Sequence, residues 1–162
     1  MCCRHSDSKA SGVEAYYANY GCQGGFTESA YGYIMKAGGL AKESVYPYTS
    51  YYSIPGICNA SRSDYVVTIK NFYVLKGEAS MESHVLSTGP LSVCVDASLW
   101  SSYSSGIISS CGKTIDHCVQ VVGINSKEGY WIVRNSWGTK WGDKGFIYLS
   151  TVSHHTMSLP CQ

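Results

Sequence analysis

A histidine opens one apolar run, Asp116-His117-Cys118-Val119-Gln120-Val121-Val122, and an asparagine closes another, Tyr130-Trp131-Ile132-Val133-Arg134-Asn135. Both runs are rich in β-branched and aromatic residues, which is how strands read. Laid side by side, such strands would bring the imidazole of His117 to the carboxamide of Asn135, with Trp137 available to cover the contact. That pairing suits nucleophilic catalysis: the ring takes a proton from a nucleophile and later returns it to a leaving group. The neutral amide would fix which ring nitrogen carries the proton, much as the third member of a triad does. What the pair requires is a thiol or hydroxyl to act on.

The elements that must position these residues follow from periodicity and punctuation. After the glycine-dense turn Gly21-Cys22-Gln23-Gly24-Gly25, apolar residues at Phe26, Ala30, Tyr33, Ile34 and Ala37 recur at helical spacing, so a helix is expected over 26–37. Thr27 or the glycines would cap its start and Gly38-Gly39 would stop it. Residues 44–63 hold Pro47, Pro55 and several tyrosines without period and read as an ordered loop. Tyr65 to Leu75 is β-rich and predicts one or two strands. A short helix is expected over 78–88, with Met81, Val85 and Leu86 inward and Gly89-Pro90 ending it. Strands are expected at 91–96, 117–124, 129–134 and 145–149. A helical first part followed mostly by antiparallel strands is an α+β pattern.

Composition narrows the partners. The 162 residues carry 12 Lys and Arg against 11 Asp and Glu, with no basic stripe, so nucleic acid and anionic membranes are excluded as expected partners. No apolar run approaches the roughly 20 residues of a membrane span. Hydrophobic content of 44% against 14% charged residues argues for a packed chain. Eight cysteines and the sequon Asn59-Ala60-Ser61 suit a disulfide-stapled lysosomal or extracellular protein. The start, Met1-Cys-Cys-Arg-His-Ser-Asp-Ser-Lys9, lacks the apolar core of a signal peptide. Cys94, Cys118 and His117 could be imagined around a metal, but no Cys-x-x-Cys spacing supports zinc and buried cysteines more often act as small hydrophobes. No metal and no cofactor are expected.

Six segments, taken in order, resemble the papain-like cysteine peptidases, the cathepsin family, over nearly the whole chain. They are Tyr20-Gly-Cys-Gln-Gly-Gly25, Val45-Tyr-Pro-Tyr48, Gly89-Pro-Leu-Ser-Val-Cys-Val-Asp96, Tyr103-Ser-Ser-Gly-Ile107, Asp116-His117 and Asn135-Ser-Trp-Gly-Thr-Lys-Trp-Gly142. The resemblance implies a papain-like fold: a partial helical lobe and a β-rich, antiparallel, barrel-like lobe. It divides residues 1–162 into a disordered tail (1–12), a remnant of the helical lobe with its connecting loop (13–64) and a mostly β-rich lobe (65–162). It implies peptide-bond hydrolysis through an acyl-thioenzyme, with His117 as base and acid and Asn135 as its orienter, and Trp137 and Trp141 keeping water from their contact. Substrate binding is implied for Gly24, Gly25, Phe26, Thr27, Cys94, Asp116, Cys118 and Trp137. The implied partners are peptide or protein substrates and protein inhibitors.

The same resemblance exposes a departure. The family's nucleophile lies in a Cys-Gly-Ser-Cys-Trp type segment about 130–150 residues before the histidine and asparagine. Counting back that far from His117 passes residue 1, and Cys2 and Cys3 lack the surrounding Gly-Ser and Trp. The expectation is a C-terminal portion, inactive by itself. Cys111 and Cys161 match positions that pair in the family. Cys22 would pair beside the nucleophile, and the place of the partner of Cys58 holds Ala15. Two other readings stay open: a non-catalytic homologue that binds through its cleft, and a cysteine-stapled structural or interaction domain.

Overall fold

A computed structural model of the chain describes residues 19–151, and these form two compact units, the first running to Tyr73 and the second beginning at Val74. No helix among the described residues is long and apolar enough to cross a membrane. The patternless tail over 1–12, Ala15 and Cys161 lie outside the described residues.

In the first unit, helix α1 spans Thr27–Ala37. Phe26 is the N-cap rather than a helical residue, and no side chain caps this end. The Phe26 N–H, just ahead of the helix, donates to Asn19 Oδ1 at 2.9 Å, and Thr27 is the first helical residue rather than its cap. Gly38 ends the helix in the left-handed conformation, its N–H on the Ile34 carbonyl. Tyr33, Ile34 and Ala37 are half-buried, while Phe26 and Ala30 are exposed. Strand β1 (Leu40–Ala41) pairs antiparallel with β2 (Tyr65–Val67), so Tyr65, read from sequence with the later part of the chain, belongs to the first unit. The β-rich stretch expected to run to Leu75 stops at Val67. Its partner β1 offers only two residues, and β-propensity without a facing strand does not make a ladder.

The second unit is built on helix α2 (Glu78–Ser87) and five strands: β3 (Leu91–Val95), β4 (Ile107–Ile108), β5 (His117–Asn125), β6 (Tyr130–Arg134) and β7 (Phe146–Ser150). They form one sheet in the order β3-β5-β6-β7-β4. The fold is α+β as expected, but among the described residues the strands do not close into a barrel, and β4 joins β7 in parallel while the other pairs are antiparallel. Alternation explains the core. Val119 and Val121 on β5, Trp131 and Val133 on β6, and Ile147 and Leu149 on β7 recur at every second position and are all buried. The registers Val121↔Val133, Val133↔Ile147 and Trp131↔Leu149 stack them across the sheet. Helix α2 contributes Met81, 6% exposed, to that core and ties down through Glu78, whose Oε1 accepts from Trp131 Nε1 at 3.1 Å. Leu86, expected inward, is 66% exposed. A residue beside Val85 sits a further 100° or so around the helix, and the inward face is already filled by Met81 and Val85.

Candidate active site

His117 and Asn135 both prolong core-facing rows. His117 stands two residues before Val119 and Asn135 two residues after Val133, so each lies where a buried row leaves the sheet. Gln120 opposite Arg134 sets the register that lets the two side chains converge. Asn135 is held past the end of β6 by its N–H, which donates to the Gly145 carbonyl at 2.9 Å. The following Trp-rich turn is closed by Gly145 N–H on the Trp141 carbonyl and Asp143 N–H on the Phe146 carbonyl. Gly142 is required there: at φ 57° a Cβ would stand 2.5 Å from the Phe146 carbonyl oxygen and 3.1 Å from the Tyr103 ring.

The two side chains meet. His117 Nε2 lies 2.8 Å from Asn135 Oδ1. The same Oδ1 accepts the Ser136 backbone N–H at 2.7 Å, which identifies the oxygen end of the amide, because a flipped amide would set two donors against each other. An oxygen can only accept from the ring, so Nε2 carries the hydrogen and donates. Nδ1 is then the basic nitrogen. Asn135 Nδ2 is buried with no hydrogen-bond partner among the described residues, so the amide is held through its oxygen alone.

Aromatic rings frame the imidazole. Trp137 stacks on it at 5.2 Å between centroids and 25° between planes, and Trp141 meets Trp137 edge-on at 5.0 Å. Trp137 keeps 43% of its surface exposed, so its cover over the pair is partial. Trp100, which carries no motif signal in the sequence, is 1% exposed and presents its ring edge-on to His117 at 6.3 Å. The Trp100 carbonyl accepts from Trp141 Nε1 at 3.0 Å, which binds the two indoles into one wall. The only signal that could have found Trp100 is its place in the turn directly after β3.

The remaining expected residues divide between the units. Gly24, Gly25 and Phe26 are exposed and Thr27 is half-buried, all ahead of or opening α1. At Gly25 a Cβ would fall 2.1 Å from Asn19 Oδ1, so a close approach to this glycine is already made within the first unit. In the second unit Asp116 is exposed and directly precedes His117. Cys94 and Cys118, read from sequence as small buried hydrophobes, are half-buried and joined in a disulfide. The β3–β5 register sets them directly opposite each other, one rung from Val95↔His117 and, by alternation, on the face away from the core row. That bridge withdraws both thiols from any metal site or nucleophilic role. Cys111 is disulfide-bonded as well. In the first unit the Tyr33 hydroxyl lies 3.6 Å from Cys58 Sγ.

Residues 2–159 match the family of papain cysteine proteases. The chain belongs to that family. It is 38% identical over 157 residues to Cysteine proteinase 1 of Dictyostelium discoideum, covering 91% of this chain and 45% of the relative. Over 137 residues it is 43% identical to Cysteine proteinase COT44 of Brassica napus, covering 80% of this chain and 40% of that protein. Among solved structures, digestive procathepsin L 3 from the larval midgut of Tenebrio molitor superposes with a TM-score of 0.75 at 30% identity, covering 87% of this chain and 48% of that one. This papain-family chain thus spans less than half the length of these relatives.

Proposed function

We propose that this papain-family chain supplies the histidine–asparagine half of a cysteine peptidase, with His117 as general base and acid and Asn135 as its orienter. The observation that carries the reading is the contact of His117 Nε2 with an Asn135 oxygen whose identity is set by Ser136. With Nε2–H engaged, Nδ1 is the atom that takes the proton from a cysteine thiol and leaves an imidazolium beside a thiolate. The thiolate adds to the peptide carbonyl carbon, and the C–N bond breaks as His117 passes its proton to the departing amine. Water, deprotonated by the same nitrogen, then cleaves the thioester and regenerates the thiol. The substrate is an extended peptide or protein segment, and protein inhibitors of matching shape are the natural antagonists. Gly24, Gly25, Phe26 and Thr27 in the first unit, and Cys94, Asp116, Cys118 and Trp137 in the second, are the residues that bind it. The bridge between Cys94 and Cys118, the bonded Cys111 and the exposed Asn59 of the sequon support a lysosomal or extracellular setting.

The 162-residue chain by itself is inert in this reading, because neither Cys2 nor Cys3 lies in a Cys-Gly-Ser-Cys-Trp type segment. Expressed through a secretory host, the chain should leave fluorogenic dipeptide substrates uncut and should not label at Cys2 or Cys3 with an epoxide thiol probe. Joined to a family segment carrying the nucleophilic cysteine, it should hydrolyse them. Efficient labelling at Cys2 or Cys3 of the chain alone would overturn the assignment of the nucleophile. Peptide binding without turnover in the joined protein would favour a non-catalytic, binding homologue.

A further inference from the structure

Asp96 follows the last residue of β3 and is buried, only 4% exposed. Its Oδ1 accepts from the Ser98 N–H at 3.0 Å and the Ser98 hydroxyl at 2.5 Å, and its Oδ2 accepts from the Thr114 N–H at 2.8 Å. Gly112 is packed against the carboxylate, where a Cβ would come 2.1 Å from Oδ2. Asp116 reciprocates across the same gap. Its N–H donates to the Val95 carbonyl at 3.1 Å, and its Oδ1 accepts from the Ala97 N–H at 2.8 Å.

These bonds interlock residues 95–98 with residues 114–116, the stretch that delivers the chain into His117. On the other side of the Val95↔His117 rung stands the Cys94–Cys118 disulfide. The backbone of His117 is therefore bracketed, covalently on one side and by two carboxylates on the other. The turn that Asp96 organises also leads to Trp100, whose N–H donates to the Ala97 carbonyl at 3.0 Å and whose ring stands edge-on to the imidazole.

We infer that Asp96 is a positioning residue for His117: its carboxylate fixes both the strand entry that carries the imidazole and the turn that sets Trp100 against it. The role is exerted through neighbours, since no bond joins Asp96 to the ring. It deepens the reading of His117 as the base, and it concerns a residue to which that reading gives no role. The carboxylate is suited to the task in acid. The Ser98 hydroxyl foremost, then the Thr114 and Ser98 N–H groups, hold its pKa below the ordinary 3.8 against the opposing effect of burial. A depressed folded pKa makes the contribution complete above the ordinary carboxylate range, and it is withdrawn only as pH falls through the depressed value.

The test uses the full chain with ¹⁵N-labelled histidine and reads the His117 ring, not activity. In Asp96→Asn the amide NH₂ faces the Thr114 N–H, two donors with no acceptor between them. The expected result is a mixture of His117 tautomers and exchange of the Nε2 proton with water faster by roughly tenfold or more, in proportion to a charged hydrogen bond lost. Ser98→Ala removes a single donor and should move the same signals in the same direction by less. Unchanged His117 signals in a folded Asp96→Asn chain, whatever its melting temperature, would reduce Asp96 to a structural residue and overturn the inference. If Asp96→Asn does not fold, Ser98→Ala decides: shifted ring signals support the inference and unshifted ones refute it. Because the readout is the ring, a failed activity assay and a failed positioning role remain distinguishable.

Discussion

Replacing His117 with alanine, in the chain joined to a segment bearing the family's nucleophilic cysteine, is expected to lower kcat/KM by about 10²–10⁴-fold. Two losses combine. Without an imidazolium beside it the cysteine returns toward its ordinary pKa of about 8.5, so the thiolate fraction falls at neutral and acidic pH. The departing amine also loses its proton donor. Stability should change little by comparison, since His117 is half-buried and its stacking on Trp137 contributes about 0.5–1.5 kcal/mol. Asn135→Ala removes no reacting group and should cost less, on the order of 10–100-fold, through a ring free to turn. Kinetics with a fluorogenic dipeptide, beside thermal unfolding of each variant, separates these effects. Equal losses in the two variants would mean that Asn135 does more than orient.

The largest expected effect on stability lies elsewhere. Trp131→Ala should destabilise the second unit by about 3–5 kcal/mol, the range for truncating a buried tryptophan. Its indole is fully buried in the centre of the sheet, opposite Leu149 on one neighbour and Ile124 on the other. Its Nε1 donates to Glu78 and so joins β6 to α2. Against a typical total of about 5–15 kcal/mol, the loss is a large fraction and leaves a visibly weakened unit. Trp131→Phe keeps most of the volume and gives up the Glu78 bond, so about 1.5–3 kcal/mol is expected. Urea unfolding followed by circular dichroism would check both. A Trp131→Ala midpoint within error of the parent would contradict the placement of the core.

Much of this was legible beforehand because it depends on local pattern. The period-two rows of β5, β6 and β7 predict strands, and strands in antiparallel order bring His117 towards Asn135. Helix α1 and helix α2 followed from spacing and from their glycine stops. What escaped depended on pairing. Whether Cys94 faces Cys118 is a matter of register between strands 24 residues apart, and one residue of slip would have separated them. Strand β4 is two residues long and exists only because β7 accepts it in parallel. Residues 68–75 have the composition of a strand and, among the described residues, no facing strand to pair with. Trp100 and Asp96 act through a turn, and a turn's hydrogen bonds to a distant loop leave no periodic trace. Packing on the helix surface decided Leu86, which lies one step around from a face already occupied.

The most direct check on the account is the ¹⁵N spectrum of the His117 ring, recorded with the ring neutral in the full chain and in Asn135→Ala. The geometry predicts a single neutral form with the hydrogen on Nε2, and loss of that preference when the carboxamide is removed. A ring protonated on Nδ1 in the parent, or a spectrum indifferent to the loss of Asn135, would contradict it.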